Sequence, residues 1–204
     1  GDAIFEDVNN DGQLDSKDMK FMGYIRPDKV GGIVNSFKYK GLTVRVVMDW
    51  AMGHVIDNGF KGQIMGSSRN NNNAIKDAMT NSWQSANDGS KYPKYTVQSD
   101  YDYQYRNHMR WDNQIGSSES GSTNNSLYFS KGDYLAFREV SLSYMLPSTW
   151  VRKIRLSGVE VFAGAYNIGY IKKYDGMFPE IYTGVDYGVY PRPRQYNMGV
   201  KINF

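Results

Sequence analysis

The sequence predicts an all-β fold: the C-terminal strands of a large antiparallel transmembrane β-barrel with long extracellular loops. Three observations predict it. Apolar and polar residues alternate with period 2 in several segments, the connections between those segments alternate between short and long, and the last alternating segment runs to Phe204.

The chain has 204 residues, enough for one large domain or two small ones. Gly1 stands where an initiator Met would, and no basic segment followed by an apolar run opens the chain. The expectation is a piece of a longer protein whose signal peptide and upstream domains lie elsewhere. No stretch approaches the roughly 18 consecutive apolar residues of a membrane-crossing helix, and the mean hydropathy is −0.61. A barrel strand escapes that test, because lipid-facing apolar residues alternate with lumen-facing polar ones and the average comes out polar. Aromatic content is 15%, with 17 Tyr, which suits interfacial girdles. The absence of Cys argues against a disulfide scaffold or a thiolate metal site. A net charge of +3, scattered along the chain, argues against nucleic-acid binding.

Residues 1–29 read as a polar loop. Gly32 to Tyr39 reads as a strand, joined by the two-residue turn Lys40-Gly41 to the clearest strand in the chain. There Leu42, Val44, Val46, Met48, Trp50 and Met52 alternate with Thr43, Arg45, Val47, Asp49 and Ala51. One face is apolar and the other carries Arg45 and Asp49, as expected between lipid and a wet lumen. Strands of a soluble sandwich also alternate, so this segment alone leaves that alternative open. Residues 53–126 follow as one long loop, with Asn-rich and Gly-Ser-rich stretches. Such a loop is too long for a compact domain unless it is functional. The next strand spans Tyr134 to Leu146, and its apolar phase slips from Leu135 and Phe137 to Val140, Leu142 and Tyr144. That slip predicts a bulge near Arg138-Glu139. A modest connection from Pro147 to Ser157 leads to a strand marked by Val159, Val161, Ala163 and Ala165, and a second long loop is expected from Asn167 to Pro191. Residues 192–204 form the terminal strand, with Tyr196, Met198, Val200, Ile202 and Phe204 on one face.

Outer-membrane barrels pair short periplasmic turns with long extracellular loops. By that parity Lys40-Gly41 and 147–157 are periplasmic, residues 1–29 and 53–126 are extracellular, and the C-terminus at Phe204 lies at the periplasmic rim.

Four segments carry a family resemblance. Asp7-Val8-Asn9-Asn10-Asp11-Gly12 resembles an acidic loop of the SusC/RagA-type TonB-dependent outer-membrane transporters. Lys131-Gly132-Asp133-Tyr134-Leu135, running on through Arg138-Glu139-Val140 to Leu146-Pro147, is similar to a strand segment of that family. Asn167-Ile168 with Lys173-Tyr174-Asp175-Gly176 and Pro179-Glu180 resembles another, and Tyr190-Pro191-Arg192-Pro193-Arg194 with Gly199 and Phe204 resembles the closing motif. They occur in the family's order and spacing, cover the first 40 residues and most of the chain after Lys131, and depart from it at Ala136, where the family usually has Arg. Residues 53–126 match poorly, which fits a loop adapted to an individual substrate. The resemblance implies a 22-stranded barrel, an N-terminal plug, import of glycans or peptides energised through the TonB complex, and a SusD-like surface lipoprotein acting as a lid. About five strands cannot close a barrel, whose smallest bacterial forms need about eight.

Asp7, Asn9, Asp11, Gly12, Gln13, Asp15 and Asp18 occupy positions 1, 3, 5, 6, 7, 9 and 12 of a calcium loop. Hard oxygen ligands at that spacing, with Gly at the sharp turn, predict one Ca²⁺, Gln13 contributing its backbone carbonyl and Asp15 acting directly or through water. The plainer alternative is an Asx-turn loop that needs no ion. In the long loop, Trp83, Tyr92, Tyr95, Tyr101, Tyr103, Tyr105 and Trp111 stand beside Asp100, Asp102, Gln104 and Asn107. Aromatic faces beside amides and carboxylates suit sugar or peptide capture, so Trp83, Tyr101, Tyr103, Tyr105 and Trp111 are candidate substrate contacts. The alternative is that these rings hold the loop together or meet the lid. His54 and His108 lie far apart without an acidic partner at ligand spacing, and no nucleophile with a positioned base is legible, so no enzyme is expected. Two functions from different classes stay open: active nutrient import, and a non-transporting barrel presenting calcium-stabilised surface loops for binding or adhesion.

Overall fold

The computed structural model describes residues 1, 4–13, 15–65, 73, 75–95 and 126–204. The chain divides into two units, each described by itself. One comprises Arg26–His54, Gly132–Pro179 and Tyr190–Phe204; the other comprises Gly1–Ile25, Val55–Lys131 and Glu180–Val189.

The first unit is a five-stranded antiparallel sheet. Strands β1 (Lys29–Tyr39) and β2 (Leu42–Met52) form a hairpin. Lys40 and Gly41 close it with φ of 44° and 87°, the doubly left-handed turn whose twist matches that of the strands. β1 begins three residues earlier than its apolar pattern indicates, through Gly31-Gly32, because the Trp50 ring of β2 lies on Gly31 and covers the bare backbone. The opposite edge repeats the device, with the Phe162 ring over Gly199.

A short strand pair in the other unit takes the labels β3 (Val55–Asp57) and β4 (Phe129–Lys131), so the sheet continues with β5 (Tyr134–Met145), β6 (Gly158–Lys172) and β7 (Gln195–Asn203). The order across the sheet is β1-β2-β5-β6-β7. Opposite Val47 and Met48 of β2, the β5 partners jump from Glu139 to Phe137, leaving Arg138 as the extra residue of a bulge, where the phase slip predicted one. The loop expected from Asn167 begins only after Lys172, because β6 runs on through it. Asn167 (φ 51°) and Gly169 (φ 157°) look like loop residues, but here they widen β6 opposite the bulge, between the Tyr166–Glu139 and Gly169–Phe137 pairs. The terminal strand begins at Gln195, after the prolines at 191 and 193.

The register aligns whole rows of like chemistry. Tyr39, Leu42, Tyr144, Val161 and Val200 lie side by side, as do Phe37, Val44, Leu142, Ala163 and Met198. This face has little protein over it even on the interior strands: Leu142 of β5 is 47% exposed and Val161 of β6 44%. An apolar face of that extent on a single sheet layer calls for lipid. The β5–β6 connection is short and partly helical, with one turn, α3, at Ser148–Val151.

The second unit holds β3 paired with β4, helix α1 (Gly59–Met65) and helix α2 (Lys76–Thr80). Its core gathers Met65, Ala78, Tyr92 and Tyr128, with Ile75 and Leu127 against them. Residues 53–126 were expected as an unbroken loop; elements of three to seven residues are too short to display a period in sequence. No helix among the described residues is long and apolar enough to cross a membrane, which says nothing of strands.

Candidate functional site

The face opposite the apolar rows carries the polar side chains. Arg138 Nε donates to both carboxylate oxygens of Asp49, at 2.8 and 2.9 Å, and Arg138 Nη1 reaches the Tyr170 hydroxyl at 3.2 Å. Arg45 Nε lies 3.4 Å from the Glu139 carboxylate, which also accepts from Ser141 Oγ at 2.8 Å. In a regular strand consecutive side chains point to opposite faces. The bulge instead turns Arg138 and Glu139 to the same side, so β5 supplies a cation and an anion at one level. The Tyr170 ring meets Tyr134 and Phe178 edge to face, with centroids 5.8 and 5.9 Å away, and Arg192 lies over Phe178 at 5.8 Å. Lower on this face, Ser36, Lys38, Thr43, Arg45, Ser141, Ser143, Tyr166 and Asn197 border a recess of about 370 Å³. The wall therefore offers hydroxyls, amide, guanidinium groups and aromatic rings, a surface suited to wet, reversible contact. Reading the sequence for sites passed over this ladder, and the signal for it was the same phase slip that announced the bulge.

The acidic loop is folded by its own side chains. Asp7 accepts from the N–H groups of Asp11 and Gly12, Asn9 Oδ1 from Asp11, and Asp11 from Gln13. Asp15 Oδ1 accepts from Lys17 N–H, while Asp18 accepts from Val8 and Asp15. The Asp15 N–H, aided by that of Val8 and the charge of Lys17, holds the Asp18 carboxyl below its ordinary pKa. The Lys17 ammonium lies 3.6 Å from Asp11 and 3.5 Å from Asp15. Gly12 has φ of 77° with open space around it, the conformation a sharp loop turn requires. Among the described residues no three acidic or histidine side chains form a ready metal cluster.

Of the aromatic candidates, Trp83 is half-buried, with the Gly1 backbone against its ring and its main-chain N–H donating to the Tyr92 carbonyl at 2.9 Å. Tyr92 belongs to the core, its hydroxyl donating to Asp77 at 2.7 Å. Tyr101, Tyr103, Tyr105 and Trp111 lie outside the described residues, as do Asp100, Asp102, Gln104, Asn107 and His108. The same unit buries Asp57, Asn58 and Asp186, which the sequence did not single out, and Glu180, which it noted only within a family motif. Asn58 Oδ1 caps α1 by accepting from Lys61 N–H, and Asp186 ties residues 180–189 to β3 and α1 through the Asp57 carbonyl and Phe60 N–H. Acids used this way leave no periodic signature.

No family model matches the chain. Among individual proteins, the whole chain is 24% identical to TonB-dependent receptor P3 of Formosa agariphila, over 19% of that protein. A stretch covering 44% of the chain is 26% identical to TonB-dependent receptor SusC of Bacteroides thetaiotaomicron. Thus the chain spans about a fifth of the length of the curated relatives that it matches throughout. Among solved structures, the RagAB peptide transporter superposes over 94% of this chain and 19% of its own, with a TM-score of 0.67 and 20% identity. The closed-closed state of the RagAB peptide importer does so over 95% of this chain, with a TM-score of 0.65. That likeness concerns the fold, and the sequence relatives agree with it: the chain resembles an unclosed stretch of the β-barrel of TonB-dependent receptors such as SusC.

Proposed function

We propose that this chain forms part of the wall of an outer-membrane importer that takes up oligosaccharides or peptides, draws energy through TonB, and works beneath a SusD-like surface lipoprotein. The carrying observation is the sheet's two chemistries, an apolar face with little protein cover and an opposite face bearing the Arg138–Asp49–Tyr170 and Arg45–Glu139 contacts. The first suits lipid and the second a hydrated passage. The relatives' names support import, since one is SusC and another is described as a peptide importer. In this reading the tight Lys40-Gly41 turn and the 146–157 connection face the periplasm, and the segments that join β2 to β5 and β6 to β7 face outward. The work proposed is capture and translocation, with no bond made or broken.

Cysteines placed at Ser85 and at Lys40 in the full-length protein test the orientation. An impermeant thiol reagent on intact cells should label the first and spare the second; labelling at position 40 alone would invert the topology. Growth of a deletion strain on oligosaccharides and on peptides, with and without complementation, tests the cargo. Unchanged uptake of both classes would remove the import reading.

We further propose that Asp7, Asn9, Asp11, the Gln13 carbonyl and Asp18, with Asp15 directly or through water, hold one Ca²⁺. The residue spacing and the left-handed Gly12 support this, and a cation there would take over the charge-balancing now supplied by Lys17. Its role would be to fix the segment that leads into β1.

A further inference from the structure

His54 follows β2 directly and is 5% exposed. Its carbonyl accepts the Gly132 N–H at 2.8 Å, tying the outgoing end of β2 to the incoming end of β5. The imidazole lies on Gly132 so closely that a Cβ there would fall 2.3 Å from Nε2. Nδ1 is buried and makes no hydrogen bond among the described residues. A neutral ring can leave Nδ1 as a bare lone pair, whereas a protonated ring would bury both a charge and an unmatched donor there.

The charged groups around this joint are Asp28, whose carboxylate lies over Gly53, then Asp133 and Lys173. Asp133 is the natural counter-ion, yet both its oxygens are engaged: Oδ1 accepts Gly53 N–H at 2.8 Å and Oδ2 faces Lys173 Nζ at 3.0 Å. Burial lowers the imidazole pKa below its ordinary value, and the Asp133 charge offsets only part of that.

We propose that His54 is an acid-sensitive clasp: neutral, it seals the joint between the ends of β2 and β5, and protonated it loosens that joint. The sign follows from linkage. A histidine whose folded pKa is depressed contributes fully above its unfolded value of about 6.5 and progressively less as pH falls below it, until the folded pKa is reached. Acidification around the cell would thus open this one strand junction while the ladders beyond it hold.

Hydrogen exchange on the full-length protein, followed in peptides covering 52–55 and 131–134 between about pH 8 and about pH 5, tests the proposal. Protection corrected for intrinsic rates should fall by up to about tenfold per pH unit below about 6.5. His54→Asn should abolish that dependence. Lys173→Met should shrink it, because the released Asp133 can then pair with the imidazolium. The same acid response in His54→Asn as in wild type overturns the proposal, and if that variant does not fold, an undiminished response in Lys173→Met does so.

Discussion

Val46 and Val47 are neighbours at the centre of β2, at almost the same depth, with opposite side-chain directions. Val46 sits in the row Asn35, Val46, Val140, Ala165 and Tyr196 on the apolar face. Val47 pairs directly with Glu139 on the polar face. Arg at Val46 would project a guanidinium into hydrocarbon near the midplane, a cost of about 2–4 kcal/mol. The same Arg at Val47 would meet water and the Glu139 carboxylate, already shared with Arg45, and should change stability by less than about 1 kcal/mol. Since about 1.4 kcal/mol is tenfold in an equilibrium constant, the two variants should differ by roughly one to two orders of magnitude in their folding equilibrium. Reversible denaturant unfolding of the full-length protein in lipid vesicles, read by tryptophan fluorescence, measures that difference. Equal destabilisation by Val46→Arg and Val47→Arg would refute the assignment of faces and the membrane reading with it.

Other expectations follow from named contacts. Arg138→Met should destabilise by about 1–3 kcal/mol, because it leaves the Asp49 carboxylate half-buried without its two-pronged donor, and Asp49→Asn should recover part of the loss in a double-mutant cycle. Additive effects would show that the pair does not couple. Calorimetry on the full-length protein should show one Ca²⁺ with a dissociation constant of about 10⁻⁴–10⁻³ M, lost in Asp7→Ala and Asp11→Ala; wild-type heats indistinguishable from the variants' would remove the ion. The Asp18 carboxyl, held below its ordinary pKa by the Asp15 N–H, contributes order above the unfolded value of about 3.8 that is lost as pH falls through the folded pKa. Protease nicking of residues 7–18 should therefore rise at acid pH in wild type and be high throughout in Asp18→Ala.

How much of this could be read from the sequence depended on how long each element runs. β2 was legible to the residue, because eleven alternating positions leave no other period. The Arg138 bulge was visible as a phase slip, yet its effect on the site was not: only the register shows that it turns Arg138 toward Asp49. β6 reads short because Asn167 and Gly169 are residue types of turns, and their use to broaden a strand opposite a bulge is a tertiary matter. In the second unit β3 is three residues long and is held by the Asp57 and Asp186 backbone, contacts remote in sequence and without periodicity. The acidic loop lay at the other extreme, since its spacing is local and its Asx bonds run two to five residues along the chain.

The doubled position in β5 also bears on how such a wall tolerates changes in length. Losing one residue from a strand normally turns everything beyond it inside out, presenting greasy groups to water and charges to hydrocarbon. At Arg138 that arithmetic is suspended. Val47, Met48 and Asp49 already face Glu139, Phe137 and Ala136 in unbroken sequence once Arg138 is skipped. A deletion of this single codon would leave every remaining side chain from Tyr134 to Met145 on its present side relative to β2, at the cost of the guanidinium and of the match to the widened stretch of β6. The bulge is thus a seam at which the strand can change length by one without inversion, while a lineage altering its neighbours would have to change two residues at a time.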